Sequence, residues 1–331
     1  MKKALFLALS LAFLLTACGE TTLPDTSEQN SVDNTQETSL PESCLLYYDL
    51  GNVSILAEDK SLPLVQNAGD GYATSYSVWY DGEYQDLALQ DGDSGISVAD
   101  MTGGSAVFDY GAGLVVWNGE RYHCAHLTAQ DSYIPNISPN TPGGILLLEV
   151  SGDCWADGGT ADVACFTGFG TVVICGSGTL RIDGAGIGVG GGNLPSLPGL
   201  ILDGVSFSSG AIFLNERSYS GAPALFVRSG SLETDTLVLS GDLCIAGGSG
   251  TVQYLDGVEN AVFRGGSFEV NQWGDTVIPR LILSGGDATC TDWLPQGTSI
   301  EVGAGTMTAN GIRYWDTVHV YDGGEIVDLM D

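Results

Sequence analysis

The chain has 331 residues, 44% of them hydrophobic, which is enough to bury a substantial core in one or two domains. Its formal charge is −31, from 41 acidic and 10 basic residues. This balance excludes nucleic acid as a main partner, because phosphates are bound by clusters of Lys and Arg. It also argues against polyanionic glycans, unless calcium bridges them to the protein.

The N-terminus has the pattern of an export segment. Lys2 and Lys3 precede an apolar run over 4–15 that is too short to span a bilayer, which takes about 20 residues. Leu15-Thr16-Ala17-Cys18 is similar to the lipobox of bacterial lipoproteins. That resemblance implies that residues 1–17 are a signal peptide and that Cys18 is acylated. The protein would then be anchored to the bacterial cell membrane, outside the cytoplasm. An ordinary secretory signal cleaved beside a cysteine is the alternative.

The segment after Cys18 has a different composition. Residues 19–42 contain no Lys, Arg or aromatic residue, so they cannot bury enough apolar surface to fold. We therefore predict a disordered, lipid-anchored tether over 18–42. Loss of the signal peptide leaves 8 basic residues against 41 acidic ones, a net charge of −33.

Residues 43–140 are predicted to form a small antiparallel β module. Asp81-Gly82 and Asn118-Gly119 are strong two-residue hairpin turns, each between strand-like runs. The first turn places Tyr80 opposite Glu83 and Trp79 opposite Tyr84.

An aromatic pair on this first hairpin is the main ligand-binding candidate. Alternation along the strands puts Trp79 and Tyr84 on the more polar side, where they would form a platform for a sugar ring. Asp86 and Glu83 would accept hydrogen bonds from sugar hydroxyls. The alternative is that the aromatic pair only stabilises the hairpin across its strands.

Residues 141–331 consist of short apolar runs that end in glycine-rich turns. The turns near Gly230, Gly250, Gly266, Gly285 and Gly305 are separated by 20, 16, 19 and 20 residues. A period near 20 made of short strands predicts a β-solenoid, in which stacked coils share one core. The predicted fold class is therefore all-β, a small antiparallel module followed by a solenoid, with a β-sandwich as the alternative.

Three segments of this region carry a family resemblance: CGSGTLRIDGAGI (175–187), SGDLCIAGGSGTV (240–252) and RGGSFEV (264–270). They resemble the coils of glycine-rich right-handed β-helix proteins of bacterial surfaces, some of which are grouped as carbohydrate-binding-domain-containing proteins. The resemblance spans roughly 145–310. It implies a right-handed parallel β-helix and contact with glycans.

Two carboxylates are the candidates for catalysis. Asp183 and Asp203 each precede a glycine at a strand end, and one coil apart they would face each other. A glycosidase needs two carboxyl groups about 5–9.5 Å apart. The alternative is ordinary Asp-Gly turn chemistry, which recurs at Asp256-Gly257.

No metal site or cofactor is predicted. On a strand, His123 and His126 point to opposite faces, so they would not chelate one ion. Asp91-Gly92-Asp93-Ser94 begins like a calcium loop but lacks the terminal Glu of the EF-hand pattern, so the support for Ca²⁺ is weak.

The seven cysteines after Cys18 contain no CxxC motif, so neither a thioredoxin-like site nor a zinc ribbon is indicated. Cys154, Cys165 and Cys175 are close enough in sequence for one local disulfide. Cys175 and Cys244 lie in apolar runs and are expected to be small core residues.

These features together predict a cell-surface lipoprotein with a non-catalytic binding or adhesion role, directed at neutral carbohydrate. Its partners would be the membrane, through the lipid anchor, and a glycan or surface protein. The remaining tryptophans would line one side of the solenoid or cap its ends: Trp155, Trp273, Trp293 and Trp315. A β-helix enzyme that degrades polysaccharide and a structural envelope protein are the alternatives.

Overall fold

The computed structural model describes residues 50–54, 76–80, 83–87, 96–97, 104–139, 143–157, 164–190, 197–214, 222–274 and 277–329. These residues form β-strands joined by short turns, with one 3₁₀ helix at Ile312–Tyr314. The predicted signal peptide, Cys18, the tether and the calcium-loop-like residues 91–94 lie outside the described residues.

The strands are numbered in chain order. The first ten are β1 (Leu50–Ser54), β2 (Tyr76–Tyr80), β3 (Glu83–Leu87), β4 (Ile96–Ser97), β5 (Ser105–Trp117), β6 (Glu120–Gln130), β7 (Tyr133–Ile134), β8 (Ile137–Pro139), β9 (Ile145–Ser151) and β10 (Asp153–Asp157). The next eight are β11 (Thr171–Gly176), β12 (Thr179–Asp183), β13 (Ile187–Val189), β14 (Leu200–Asp203), β15 (Ser206–Leu214), β16 (Leu225–Val227), β17 (Ser231–Ile245) and β18 (Ser249–Phe263). The last seven are β19 (Ser267–Trp273), β20 (Ile278–Leu283), β21 (Asp287–Trp293), β22 (Gly297–Val302), β23 (Gly305–Asn310), β24 (Thr317–Val320) and β25 (Gly324–Asp328).

The chain winds into a β-solenoid whose coils stack as three parallel sheets, named here the A, B and C faces. The A face contains β6, β9, β11, β14, β16, the ends of β17 and β18, β20, β22 and β24. The B face contains β7, β10, β12, the starts of β15, β17 and β18, and then β19, β21, β23 and β25. The shorter C face contains β13, the second half of β15, the middles of β17 and β18, and the end of β19.

Stacked interior rows form the core. Alternate residues of each strand point into the coil and contact their equivalents in the next coil. One such row of the A face is entirely buried: Leu146, Val172, Leu200, Leu225, Leu243, Ala261, Leu281 and Ile300. A single coil cannot bury its apolar side, so stacking supplies the core. The predicted all-β solenoid is confirmed, and the parallel register excludes the β-sandwich alternative.

The coils differ in length along the chain. The equivalent residues Leu146, Val172, Leu200 and Leu225 are separated by 26, 28 and 25 residues. After Leu225 the intervals to Leu243, Ala261, Leu281 and Ile300 shorten to 18, 18, 20 and 19 residues. The predicted period near 20 therefore describes the later coils, whereas the earlier coils are longer.

Glycines form one corner of the later coils. Gly230, Gly248, Gly266, Gly286 and Gly305 all have positive φ, between 77° and 93°. A Cβ on Gly266 would lie 2.0 Å from the carbonyl oxygen of Gly248 in the preceding coil, so the corner admits only glycine there. At the turns predicted near Gly250 and Gly285, the corner glycines with positive φ are Gly248 and Gly286.

The two predicted hairpins are confirmed. Tyr80 pairs with Glu83 and Trp79 pairs with Tyr84 across β2 and β3, and β8 adds a third strand to this small sheet. Asn118 and Gly119 join β5 to β6 with φ values of 47° and 76°, the positive angles that such a two-residue turn requires.

The first strands of the solenoid come earlier in the chain than expected. Although β6 is half of an antiparallel hairpin, its residues 125–130 pair in parallel with β9. The sheet therefore continues across the predicted boundary between residues 140 and 141, and β1 and β4 join it by pairing with β5.

The outward side of the A face is also apolar. One outward row, named here the outer stripe, is buried throughout: Leu147, Val173, Ile201, Phe226, Cys244, Val262 and Ile282. The tip of the β5–β6 hairpin packs on it and contributes Val115, Trp117, Tyr122 and Cys124 to the same cluster. The hairpin thus forms a second layer over part of the A face.

Candidate ligand-binding face

The four residues predicted to bind a ligand all lie on the β2–β3 hairpin. Trp79 is directly opposite Tyr84, while Glu83 and Asp86 are opposite Tyr80 and Ser77. Directly opposed residues share one side of an antiparallel pair, so the cross-strand relationship of Trp79 and Tyr84 is as predicted. The placement of their side chains lies outside the described part of the chain, and the sugar platform there stays a prediction.

The structure does not bring the two catalytic candidates together. Asp183 is the last residue of β12 on the B face, where it pairs with Asp157. Asp203 is the last residue of β14 on the A face, where it pairs with Cys175. The expected juxtaposition in adjacent coils is wrong, because the two Asp-Gly turns form different corners of the coil.

Each of these carboxylates has basic or hydroxyl neighbours. Arg181 Nη2 lies 3.0 Å from Asp183 Oδ2, in an exposed ion pair. Arg228 Nη1 donates to Asp203 Oδ2 at 3.1 Å, and Ser229 Oγ donates to Asp203 Oδ1 at 2.8 Å. These contacts give both aspartates a structural role at the strand ends.

The outward side of the B face is polar along most of its length. One row consists of hydroxyls and a carboxylate: Thr179, Ser206, Ser231, Ser249, Ser267, Asp287 and Thr306. The parallel row two residues further along each strand is Arg181, Ser208, Glu233, Thr251, Glu269, Thr289 and Thr308. Adjacent strands are about 4.8 Å apart, so hydrogen-bonding groups recur at that spacing.

A ladder of amide and hydroxyl side chains borders these rows. Asn271 Nδ2 donates to Gln253 Oε1, and Thr291 Oγ1 donates to Asn271 Oδ1 at 2.9 Å. Asn310 Nδ2 donates to the carbonyl oxygen of Thr291 at 3.2 Å. These contacts fix the orientation of the ladder side chains, and Gln253 at its first position is exposed.

An exposed aromatic pair adjoins the end of this ladder. Trp293 and Tyr314 are 47% and 50% exposed, and their ring centroids are 5.8 Å apart with planes inclined at 38°. Trp293 packs against Gly311, where a Cβ would lie 2.8 Å from its Cε3. Arg313 lies 5.2 Å from the centroid of Tyr314. Among the residues whose side chains the structure describes, which do not include Trp79 and Tyr84, these are the only Trp, Tyr or Phe residues that are more than 36% exposed.

The platform and the ladder are contiguous. Trp293 is paired in register with Asn310, whose side chain is the last member of the ladder. An exposed aromatic surface beside ordered donors and acceptors suits a sugar ring, which has an apolar side and equatorial hydroxyls. We name the set Gln253, Asn271, Thr291, Asn310, Trp293 and Tyr314 the B-face site.

The other tryptophans occupy different environments. Trp155 is half-buried at the far end of the B face and meets Tyr133 with ring centroids 6.4 Å apart. Trp273 and Trp315 are buried in the core. The expectation that tryptophans line one side or cap the ends therefore holds only in part, since two of them are core residues.

Sequence reasoning placed Trp293 near a turn but did not connect it to Tyr314 or Asn310. The connection depends on the coil register, which sets β21 beside β23 with an irregularity between Cys290 and Trp293. The 19-residue spacing between Thr291 and Asn310 in the sequence was the available sign, because it equals one coil.

No disulfide links any two of the described cysteines: Cys124, Cys154, Cys165, Cys175, Cys244 and Cys290. The local disulfide among Cys154, Cys165 and Cys175 is not formed. Cys154 and Cys165 belong to the interior core, whereas Cys175 packs beside the outer stripe. Cys244 is buried as expected, but on the outward side of the A face.

Four of these thiols are poor nucleophiles. Burial, with the Glu149 and Asp203 carboxylates nearby, raises the pKa of Cys175 to about 12. Burial likewise raises the pKa of Cys244 and Cys290 to about 12, and it also raises the pKa of Cys124. A thiol that stays protonated at neutral pH does not initiate covalent catalysis.

His126 is buried at the first coil of the A face. Its Nε2 lies 3.5 Å from Glu149 Oε2 and 3.2 Å from Thr128 Oγ1. Across the described ranges, no group of three or more His, Cys, Asp or Glu residues is arranged to hold a metal ion. Nor does any helix in the described part have the length and apolar character to cross a membrane.

Comparison with protein-family models, with curated proteins and with solved structures found no match to this chain.

Proposed function

We propose that this protein is an exported, lipid-anchored surface protein that binds neutral carbohydrate without turning it over, and that the B-face site is where the glycan binds. The observation that carries the proposal is the exposed Trp293–Tyr314 pair beside the hydrogen-bonded ladder that ends at Asn310. Buried aromatics would be explained by the core, whereas half-exposed aromatics beside ordered polar groups favour a ligand.

The charge of the chain supports a neutral ligand. With 41 acidic residues against 10 basic ones, the surface repels a polyanion. The B face itself carries Glu233 and Glu269 in its outward rows, and these carboxylates accept hydrogen bonds from sugar hydroxyls.

A non-catalytic role is favoured by the site chemistry. Asp183 and Asp203 lie on different faces, so the carboxylate pair that motivated the enzyme alternative has lost its geometric support. Burial raises the pKa of the Cys124, Cys175, Cys244 and Cys290 thiols, so these four are poor nucleophiles.

The test is glycan-array binding by the mature chain, residues 18–331, carrying Cys18→Ser to prevent acylation. We expect binding to neutral glycans that is lost in Trp293→Ala/Tyr314→Ala and retained in Trp79→Ala/Tyr84→Ala. Loss only in the second double variant would move the site to the β2–β3 hairpin. No binding by the parent chain, with and without calcium, would reject the carbohydrate proposal and favour a structural or protein-binding role.

The anchor is tested separately by labelled palmitate. We expect incorporation into the wild-type chain during expression in a bacterium and none into Cys18→Ser. Equal labelling of the two chains would reject Cys18 as the attachment residue.

A further inference from the structure

The ladder of the B-face site is straight, because its members occupy the same position in consecutive coils. The buried residues Val252, Val270, Cys290 and Ala309 pair in register from one coil to the next. The residue that directly follows each of them is a rung of the ladder: Gln253, Asn271, Thr291 and Asn310. Adjacent strands are about 4.8 Å apart, so the four rungs span about 14 Å parallel to the solenoid axis.

A second polar row runs beside the ladder, two residues earlier in each strand. Its members in the same four coils are Thr251, Glu269, Thr289 and Thr308. Residues two apart in a strand are on the same side of the sheet and are separated by about 7 Å, so the two rows form parallel tracks at that distance. This separation is close to the width of a pyranose ring with its hydroxyls. A ribbon of sugars along the solenoid axis would therefore have hydrogen-bonding groups along both of its edges.

The spacing of the rungs favours one class of glycosidic linkage. Pyranoses joined through diequatorial bonds, as in cellulose, chitin and mannan, form flat, extended chains. Such a chain advances by nearly one strand spacing per sugar, so successive rings stay level with successive coils. Chains of α-linked glucose, as in amylose, curve into a helix and depart from a straight row after a few sugars.

The aromatic pair lies at one end of the two tracks. Trp293 is paired in register with Asn310, the last rung, and the Trp293 and Tyr314 rings are both about half exposed. Their centroids are 5.8 Å apart, so together they offer a surface about as large as one sugar ring. The axial C–H bonds of a diequatorially linked sugar pack on such a surface, while its equatorial hydroxyls are directed to the sides, toward the polar rows.

We infer that the B-face site takes a linear, neutral, diequatorially linked glycan that lies parallel to the solenoid axis. About one sugar occupies each coil from Gln253 to Asn310, and the ring at the later end packs on Trp293 and Tyr314. This inference rests on the proposed function and adds to it the class of glycan and its direction on the protein.

Calorimetry with the mature chain carrying Cys18→Ser tests the linkage. The extended probes are cellohexaose, chitohexaose and β-mannohexaose, and the control is maltohexaose, which has the glucose units of cellohexaose in the α-linkage. We expect at least one extended hexasaccharide to bind at least tenfold more tightly than maltohexaose. For that glycan, affinity should rise from two sugars to about four and then level off, because each further sugar up to the fourth gains a rung.

A matched pair of substitutions tests the direction of the chain. Gln253→Ala should weaken binding of the hexasaccharide severalfold and leave the disaccharide unaffected, because Gln253 is the rung farthest from the aromatic pair. Asn260→Ala is the control: this amide donates to Asp242 Oδ1 at 2.7 Å on the A face, and its loss should leave both affinities unchanged.

The outcomes separate this inference from the proposed function. Binding of maltohexaose as tight as that of every extended hexasaccharide would overturn the inference and leave the proposed function in place. Equal affinities for two and six sugars, or equal effects of Gln253→Ala and Asn260→Ala, would do the same. Absence of binding to any glycan would reject both.

Discussion

Trp117 and Phe226 meet edge to face, with ring centroids 5.0 Å apart and planes at 85°. Trp117 ends β5 in the antiparallel hairpin, whereas Phe226 is in β16, the fifth strand of the A face. The contact shows that the hairpin crosses several coils on the outside of the solenoid. The antiparallel and parallel parts are therefore packed together by an apolar layer in addition to the shared sheet.

We expect Trp117→Ala to destabilise the protein by about 3–5 kcal/mol, because it removes a fully buried aromatic from this layer. The exposed Trp293→Ala is the control and should change the free energy of unfolding by about 1 kcal/mol or less. Urea unfolding followed by circular dichroism measures both. Similar decreases in the free energy of unfolding for the two variants would show that packing in this apolar layer does not stabilise the protein.

Alanine substitutions at two glycines with nearly the same φ distinguish the cost of backbone strain from the cost of a clash between stacked coils. Gly119 has φ 76° with open space around it, and Gly266 has φ 78° with the Gly248 carbonyl oxygen where a Cβ would be. Gly119→Ala should cost about 1–2 kcal/mol from the left-handed conformation alone. Gly266→Ala should cost at least about 3 kcal/mol, because the coils must also move apart. Equal midpoints of urea unfolding would show that the corner relaxes freely.

The Arg280–Glu301 ion pair should matter more than the Arg181–Asp183 pair. The side chain of Glu301 is 11% exposed, so removing its partner leaves a charge that water barely reaches, whereas both members of the second pair are more than half exposed. We expect a loss of about 1–2 kcal/mol for Arg280→Met and less than about 0.5 kcal/mol for Arg181→Met. A reversed order in thermal melts would refute this explanation.

Stability should fall above about pH 9. The buried thiols keep their protons in the folded state up to about pH 12, while unfolded cysteines with a pKa of 9.0 release them. Unfolding then releases protons, and each thiol lowers the free energy of unfolding by up to about 1.4 kcal/mol per pH unit in this range. Cys244→Ala/Cys290→Ala should flatten the decline between pH 9 and 11 in urea titrations; an unchanged slope would assign it to other groups.

If the glycan lies along the ladder, affinity should rise with chain length. The ladder from Gln253 to Asn310 crosses three coil steps, about 14 Å. Asn271→Ala should weaken binding of long oligosaccharides severalfold and leave monosaccharide binding at the platform unchanged, as measured by calorimetry. Equal effects on both lengths would place the whole ligand at the aromatic pair.

The sequence predicted the fold class and the hairpins but not the site. Short apolar runs with glycine turns specify stacked coils, and Asp81-Gly82 specifies a register that the structure confirms. The exact glycine at each corner was missed at Gly248 and Gly286, because Gly-rich runs offer several neighbouring candidates. A period estimated from such turns is in error by a residue or two, and this is too inaccurate to assign which residues pair between adjacent coils.

Asp183 and Asp203 illustrate the consequence of that inaccuracy. Both precede a glycine at the end of an apolar run, and sequence alone does not distinguish one corner of a coil from another. Trp293 and Tyr314 illustrate the converse, since only the register of β21 with β23 brings them together. The burial of the outer stripe was also not predictable from the sequence. Apolar residues of the A face are buried both where they point into the coil and where they point outward in this stripe.

The later coils are similar in length, so the solenoid can be shortened or lengthened by one whole coil at a time. Residues 249–266 make up one 18-residue coil, and joining Gly248 to Ser267 would place Phe268 over Leu232 where Gly250 now lies. Every row of the B face would continue in phase, in a solenoid shorter by about 4.8 Å. Duplication of such a unit would lengthen the solenoid by the same step, so evolution or a protein engineer can adjust the length of this protein one coil at a time.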